Sequence, residues 1–221
     1  MKRSPTLCLV SEALAVVFVA AFVARRGGAH ASALVGIVFL AVCHLRSWRG
    51  DDARVRADGL ALGGLAAPLV DARRGFARGL SALAMTVAVV FPPFIIAWCA
   101  FFRPVRAFEA GRAFADLDML AELVLVALPE EAFFRGYLQS RLAERVSGRV
   151  GPLTSANAAT SVLFALGHLG TELSVARASV FFPSLLFGLL RERTGGVIVP
   201  VVVHALSNAL ARVLAQGFGL V

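Results

Sequence analysis

Four polar side chains that could do chemistry lie inside long apolar stretches of the sequence. They are Glu130, His168, His204 and Asn208. Carboxylates and imidazoles are side chains that commonly transfer protons or bind metal ions in proteins. An ionisable group at the centre of a bilayer costs roughly 2.5–3.5 kcal/mol, so apolar helices rarely carry one without a function. The joint occurrence of an acid, two imidazoles and an amide therefore indicates a functional site, since a purely structural explanation is strained.

The spacing around Glu130 predicts different surroundings for two neighbouring carboxylates. Glu131 lies four residues before Arg135, which is the better orientation for an ion pair on one face of a helix. Glu130 is rotated by about 100° from Glu131, so it cannot share this arginine equally well and is free to face a cavity. Pro129 directly precedes both acids, and a proline inside a helix frees a backbone carbonyl and bends the helix. The segment therefore predicts a bent helix that opens a polar pocket.

Two further apolar runs place polar groups on one face of a helix. His204 and Asn208 are four residues apart, and Phe164 and His168 repeat that spacing. Polar groups in such surroundings satisfy their hydrogen bonds by converging on one another or on water. Taken singly, such a histidine is more often a hydrogen-bonded structural residue, and such an asparagine more often links helices. We predict that three helices bring these groups together around one pocket, whereas Glu122 is a weaker member placed near an interface.

These runs resemble the motifs of a known family. Residues 130–135 fit the EExxxR motif of the CAAX protease and bacteriocin-processing family, also called the Abi family. Its members are membrane-embedded endopeptidases that include the Ras-converting enzymes. Residues 164–168 match the family's FxxxH motif and residues 204–208 match its HxxxN motif, in the family's order. The resemblance implies a catalytic core over 116–214, preceded by membrane spans without an assignable motif over 1–115.

The resemblance implies a catalytic set, which consists of Glu130, His168, His204 and Asn208. It also implies an accessory set, which consists of Glu131, Arg135 and Phe164. In a zinc-dependent mechanism Glu130, His168 and His204 would be the ligands, an acceptable set, although the sequence has no HExxH motif. In the mechanism that we favour, which needs no cofactor, Glu130 activates a water molecule that His168 orients. The donors to the oxyanion would then be His204 and Asn208.

The composition indicates that this site lies in a membrane. The 221 residues are 58% hydrophobic and 16% charged, whereas soluble domains contain about 45–50% apolar and about 25% charged residues. The apolar excess and the lack of a sustained repeat exclude disordered, collagen-like and coiled-coil proteins. Because unpaired backbone cannot face lipid, we predict an all-α polytopic transmembrane helical bundle with its catalytic cavity within the C-terminal helices.

Apolar runs predict seven membrane spans. They cover residues 7–24, 31–45, 79–102, 117–145, 153–169, 175–190 and 197–214. Pro92 and Pro93 predict a kink in the third span. A weakly apolar segment rich in glycine and alanine, 59–72, would make an eighth span, a re-entrant piece or a loop.

The net charge of +8 suggests a nucleic-acid partner, but the pattern of charges excludes one. The arginines form short clusters between apolar runs instead of lining one polar face with stacking aromatic residues. Basic loops of this kind are typical of membrane proteins. The expected partners are therefore the lipid bilayer and a membrane-associated protein or peptide substrate. The three cysteines, Cys8, Cys43 and Cys99, lie far apart and support neither a disulfide framework nor a thiolate metal site.

The distribution of basic residues predicts an orientation in the membrane. The N-terminus and the loops 46–78, 141–152 and 191–196 carry 14 of the 22 lysines and arginines, and the loops on the other side carry six. Because basic loops remain on the cytoplasmic side, we expect a cytoplasmic N-terminus. The alanine- and arginine-rich composition is compatible with a bacterial source, so we expect an integral protein of the bacterial inner membrane.

The function predicted is an intramembrane endopeptidase that cleaves a hydrophobic or lipidated substrate, such as a C-terminal sorting anchor or a peptide precursor. One alternative is a non-catalytic membrane scaffold or immunity protein of the same fold, which would be expected to have lost motif residues. Another is a transporter or proton relay, because intramembrane acids and histidines also mark ion paths. That reading predicts an inverted repeat between the two halves, and the motifs occupy only the second half.

Overall fold

The chain is an all-α protein of the membrane type, seen in a computed structural model that describes residues 4–61, 69–114 and 117–220. The α-helices are α1 (Pro5–Arg26), α2 (Ala31–Cys43), α3 (Asp52–Ala57), α4 (Leu69–Val89), α5 (Phe91–Phe102), α6 (Ala110–Ala113), α7 (Met119–Ala121), α8 (Leu128–Glu131), α9 (Ser140–Ala143), α10 (Ser155–Thr171), α11 (Val175–Ser179), α12 (Phe181–Thr194) and α13 (Ile198–Gly217). A 3₁₀ turn covers Gly28–His30, and π-helical stretches cover His44–Trp48, Glu122–Ala127 and Ala132–Gln139. Two short antiparallel strands, β1 (Arg149–Val150) and β2 (Leu153–Thr154), precede α10.

Four helices among the described residues are long and apolar enough to cross a membrane. They are Pro5–Arg26, Gly28–Trp48, Gly79–Phe102 and Ile198–Gly217. The predicted all-α membrane class is thereby confirmed, whereas the count of seven or eight spans stays a prediction. The third span is interrupted at Val90, where α4 ends and α5 begins with Pro92 and Pro93 in its first turn. The central part of the doubtful segment 59–72, residues 62–68, lies outside the described residues.

One continuous helix, residues 119–143, carries the first motif, and we call it the motif helix. It comprises α7, α8, α9 and the two π-helical stretches between them. Pro129 lies in the first turn of α8, between those stretches. Because proline lacks a backbone N–H, it interrupts the regular hydrogen bonding, and the wider turns on either side accommodate the interruption. The bend predicted at Pro129 thus takes the form of two widened stretches in an unbroken helix.

The first two helices form one side of the packing around the motif helix. The Phe39 ring in α2 stacks on Phe133 at 4.9 Å and meets Phe134 edge-on at 5.5 Å. Small residues allow α1 and α10 to approach closely, since a Cβ atom added at Gly170 would lie 2.9 Å from Ala21. The helices without an assignable motif are therefore part of the same hydrophobic core as the motif helix.

A segment after α2 closes one end of the bundle against the motif helix. The Asp58 side chain is fully buried, and its carboxylate accepts hydrogen bonds from Ser47, Arg54 and Arg141. A buried carboxylate is tolerated because it is paired and hydrogen-bonded. We call residues 47–60 the closing segment. Through Arg141 it is tied to the C-terminal end of the motif helix, which fixes that end in place.

The closing segment ends at Leu60, whose side chain packs so closely on the motif helix that a glycine is required there. Leu60 is 1% exposed, and it lies directly against Gly136 of the motif helix. A Cβ atom at position 136 would be 2.5 Å from Leu60 Cδ2 and 2.8 Å from its Cγ. Both distances are shorter than carbon atoms tolerate, so this close approach depends on the absence of a side chain.

The Gly136→Ala variant should be less stable because the new methyl group overlaps the buried Leu60. Overpacking a core in this way costs about 1–3 kcal/mol, which lowers the thermal unfolding midpoint of the purified protein in detergent. The matched control is Gly111→Ala in α6, where an added Cβ meets nothing within 4 Å. Equal midpoints for the two variants would contradict the packing described here.

Candidate active site

A buried ion pair lies at the centre of the first motif. Glu131 and Arg135 are both 0% exposed, and the Oε2 atom of Glu131 lies 3.1 Å from Nε of Arg135. The other carboxylate oxygen, Oε1, lies 2.9 Å from Nδ1 of His204. An ionised carboxylate only accepts hydrogen bonds, so Nδ1 of His204 carries the proton that it donates to Glu131. The pair predicted from the four-residue spacing is present, and it also orients a histidine from α13.

The buried guanidinium of Arg135 has partners on two other helices. Its Nη2 atom donates to Oγ of Ser184 in α12 at 2.8 Å. Its Cζ atom lies 5.2 Å from the centre of the Phe164 ring and 5.9 Å from that of Phe187. Aromatic faces attract a weakly hydrated guanidinium, which offsets part of the penalty for removing this charge from water. Neither Ser184 nor Phe187 could be predicted as a partner of Arg135 from the sequence, because their approach depends on the packing of α12.

The imidazole of His204 lies between the same two aromatic rings. It is stacked on Phe187 at 4.8 Å with an interplanar angle of 17°, and it meets Phe164 edge-on at 5.9 Å. With Nδ1 bound to Glu131, the ring has little freedom to rotate. Its second nitrogen, Nε2, is directed toward the neighbouring acid Glu130, whose Oε2 atom is 3.9 Å away.

Glu130 differs from Glu131 in its surroundings. Its side chain is 14% exposed and lines a cavity of about 530 Å³. Its buried Oε2 atom has no hydrogen-bond partner within the described part of the chain. Glu131 is therefore buried between a cation and an imidazole, while the partly exposed Glu130 borders a cavity in which it can bind water or a substrate.

His168 lies on the wall of this cavity together with Glu130. Its Nδ1 atom is 3.1 Å from the backbone carbonyl of Phe164, one helical turn earlier. A carbonyl can only accept, so Nδ1 carries a proton and Nε2 of the neutral ring is an acceptor. The Phe164 ring also packs on His168, with the centroids 4.5 Å apart. The FxxxH spacing thus has a local physical meaning, because the phenylalanine position contributes both the carbonyl and the supporting ring.

Asn208 completes the wall and has a partner on the motif helix. Its Nδ2 atom donates to Oε2 of Glu122 at 3.2 Å, and Arg212 Nη2 donates to the other oxygen of Glu122 at 2.5 Å. Glu122, which the sequence indicated as a weaker member of the embedded set, lies beside Asn208 on the wall of the polar cavity. The sequence contained the information needed to predict that Arg212 lies beside Asn208, because residues 204, 208 and 212 are on one face of a helix.

Two cavities meet at these residues. The first, of about 530 Å³, contains both Glu122 and Glu130 on its wall. The second, of about 700 Å³, is lined mainly by apolar residues of α5 and α12 and reaches His204. Phe164, His168 and Asn208 line both cavities. The predicted site residues therefore surround the junction between a polar and an apolar space.

The arrangement has a consequence for the zinc set predicted as an alternative. Within the described residues, no three His, Cys, Asp or Glu side chains come together in a way that could hold a metal ion. The set of Glu130, His168 and His204 is thus not assembled for coordination in this arrangement. It stays a prediction, and we route no step through a metal.

Comparison with known proteins gives one match. Residues 113–210 match the family model described as type II CAAX prenyl endopeptidase Rce1-like. The matched region includes the motif helix, α10, α12 and most of α13, and therefore all the side chains named above in this subsection except Arg212. No curated protein and no solved structure matches the chain.

Replacing Arg135 by methionine should destabilise the protein strongly, because it leaves the buried carboxylate of Glu131 without its cation. Removing one partner of a buried pair costs about 3–5 kcal/mol, measurable by denaturation in mixed micelles. The double variant Glu131→Gln, Arg135→Met should recover part of this loss. The control is Arg112→Met, which breaks an exposed pair with Glu109 and should change stability by less than about 0.5 kcal/mol. Equal stability of Arg135→Met and the control would contradict the importance of the pair.

Proposed function

We propose that this chain, whose residues 113–210 match the Rce1-like family model of CAAX endopeptidases, hydrolyses peptide bonds with a water molecule activated by Glu130. The observation that carries the proposal is the unequal pair of adjacent acids. Glu131 is fully buried and contacts Arg135 and His204, whereas Glu130 is 14% exposed, lines a cavity and accepts no hydrogen bond on its Oε2 atom from the described residues. Two titratable groups with such different surroundings are suited to different roles.

In the proposed reaction Glu130 accepts a proton from a water molecule in the polar cavity. The hydroxide formed attacks the carbonyl carbon of the scissile peptide bond, and Glu130 then passes the proton to the departing amine nitrogen. His168 orients the water, because its Nε2 atom can accept a hydrogen bond from the second O–H group of the water, which keeps its proton. Its backbone-bound Nδ1 keeps the ring in the form that leaves Nε2 available.

The tetrahedral intermediate needs hydrogen-bond donors for its oxyanion. Asn208 uses Nδ2 to bind Glu122, and an amide nitrogen has a second N–H that remains available. When His204 carries protons on both nitrogens, it donates Nδ1–H to Glu131 and directs Nε2–H toward Glu130, beside the apolar cavity that His204 lines. In that form Glu130, Glu131, Arg135 and His204 carry two negative and two positive charges, so the cluster is neutral overall. Donors arranged before the reaction are effective because they need no reorganisation.

The apolar cavity supports a hydrophobic or lipidated substrate that is associated with the membrane. Aromatic residues of α5, including Phe94 and Trp98, line it, and it reaches the catalytic histidines His168 and His204. Its volume of about 700 Å³ lies within the range of about 300–1,000 Å³ typical of small-ligand pockets. A side chain or lipid chain held there would lie next to the peptide bond that is cut.

The proposal also includes an orientation in the membrane. We place the chain in a bacterial inner membrane with α1 beginning on the cytoplasmic side. The support is the excess of basic residues in the loops at that end, 14 of the 22 in the sequence, since such loops are retained in the cytoplasm.

The Glu130→Gln variant should lose peptide hydrolysis while keeping its thermal stability, because the amide cannot accept the proton of water. Activity is measured with purified protein in detergent on synthetic hydrophobic peptides, with and without a farnesyl group, and new termini are identified by mass spectrometry. Glu109→Gln is the matched control, because it makes the same change at an exposed acid. Cleavage by Glu130→Gln at the wild-type rate would refute the proposed mechanism.

The Asn208→Ala variant should reduce kcat about a hundredfold with little change in KM, because it removes a donor that acts in the transition state. Asn157→Ala is the control, since Asn157 donates to the carbonyl of Leu185 and lines neither cavity. That control should lower stability but leave the turnover of folded protein unchanged. A loss confined to KM in Asn208→Ala would rule out the oxyanion role.

A further inference from the structure

The two ends of the bundle are built differently. At the first, which we call the basic end, the motif helix finishes and α13 begins. Arg141 Nη2 donates there to the carbonyl of Arg46, and Arg191 Nη2 donates to that of Ala57. At the other, which we call the opposite end, the C-terminal ends of α1 and α10 meet, since Arg25 Nε donates to the carbonyl of Thr171 at 3.2 Å.

Among the described residues, the closing segment covers the motif helix at the basic end. The closing segment 47–60 covers the C-terminal half of the motif helix, with the side chains of Asp58 and Leu60 buried at 0% and 1% exposure. Leu60 fills the space directly over Gly136. A substrate chain therefore has no passage to Glu130 between this segment and the motif helix, unless these buried contacts are broken.

The polar cavity opens toward the opposite end. Its wall includes Ala24 near the end of α1, Ser32 at the beginning of α2, Thr171 at the end of α10 and Arg177 in α11. Of the two acids on its wall, Glu130 lies eight residues further along the motif helix toward the basic end than Glu122. No residue of the closing segment is among those that line it. The mouth of the cavity is thus formed by helix ends that all lie away from the basic end.

The two ends also differ in charge. By the sequence count over the seven predicted spans, the segments assigned to the side of the basic end carry 14 of the 22 lysines and arginines, and those assigned to the other side carry six. Gly79 shows that the arginine-rich beginning of α4 belongs to the basic end, because a Cβ atom there would lie 3.2 Å from Val199 in the first turn of α13. The positive-inside rule therefore assigns the basic end to the cytoplasm.

We propose that the substrate enters the site from the extracytoplasmic side of the membrane. The enzyme then cleaves exported proteins or peptides close to the boundary of their membrane-embedded segment. The polar cavity receives the peptide chain from outside, and the apolar cavity beside His204 receives the membrane-embedded side chains that follow. This inference rests on the proposed function and gives it a substrate class. It excludes lipidated tails that are presented in the cytoplasm.

Cysteine accessibility tests the direction of entry without any need for proteolysis. The parent carries Cys8→Ala and Cys99→Ala and retains Cys43, which is fully buried. Single cysteines are then introduced as Ser32→Cys at the mouth of the polar cavity and Ser147→Cys, an exposed loop position at the basic end. Intact bacterial cells are treated with a maleimide that cannot cross membranes, before and after permeabilisation.

Ser32→Cys should label at least tenfold above the parent in intact cells, and Ser147→Cys should reach that level only after permeabilisation. The reverse pattern, or labelling of both positions from the same side, would overturn the proposal. The same labelling is expected with Glu130→Gln added, so the result is independent of catalysis.

A cleavage experiment then connects the direction of entry to the reaction. A hydrophilic peptide tethered to a single membrane-spanning segment is presented either outside or inside vesicles of known orientation. Cleavage should occur at least tenfold faster when the peptide lies on the side at which Ser32→Cys is labelled. Faster cleavage on the side at which Ser147→Cys is labelled would overturn the proposed entry. The Glu130→Gln variant tests the mechanism separately, since it should cleave the peptide on neither side.

Discussion

The buried pair of Glu131 and Arg135 is the interaction on which the rest of the site depends. Both side chains are fully buried, and one carboxylate oxygen binds the guanidinium while the other binds His204. A pair of this kind adds little net stability, because two charges must be removed from water. Its value here is orientation. It fixes the imidazole of His204 relative to the motif helix, and through it the direction in which Nε2 faces Glu130.

The same pair is the reason why the two adjacent carboxylates, Glu130 and Glu131, have different surroundings. Neighbouring residues on a helix point about 100° apart, so Glu131 faces the core between α12 and α13 while Glu130 faces the polar cavity. The two widened stretches of the motif helix around Pro129 contribute to this arrangement, since π-helical turns rotate side chains away from their regular positions. A buried, ion-paired acid beside an acid that borders a cavity is an arrangement suited to the activation of water.

The sequence was sufficient for contacts within a helix and insufficient for contacts between helices. The spacing of Glu131 and Arg135 predicts their pair because helix geometry alone brings residues four apart together. The bond between Glu122 and Asn208 depends on how the motif helix packs against α13, and no local spacing encodes that. The same reason explains why Ser184 was not foreseen. The all-α membrane class followed from composition, whereas short helices such as Phe181–Thr194 are below the length that identifies a span.

The helices before the motif region have a part in the site although they carry no motif. Val17 of α1 and Ser32 of α2 belong to the wall of the polar cavity, and Phe39 packs on the rings next to the acidic pair. Residues 116–214 alone would leave that cavity without one of its walls. Such walls require only small or apolar side chains of suitable size, which many sequences provide. A cavity wall can therefore escape motif analysis, since its requirement is shape, whereas the reacting groups require particular atoms.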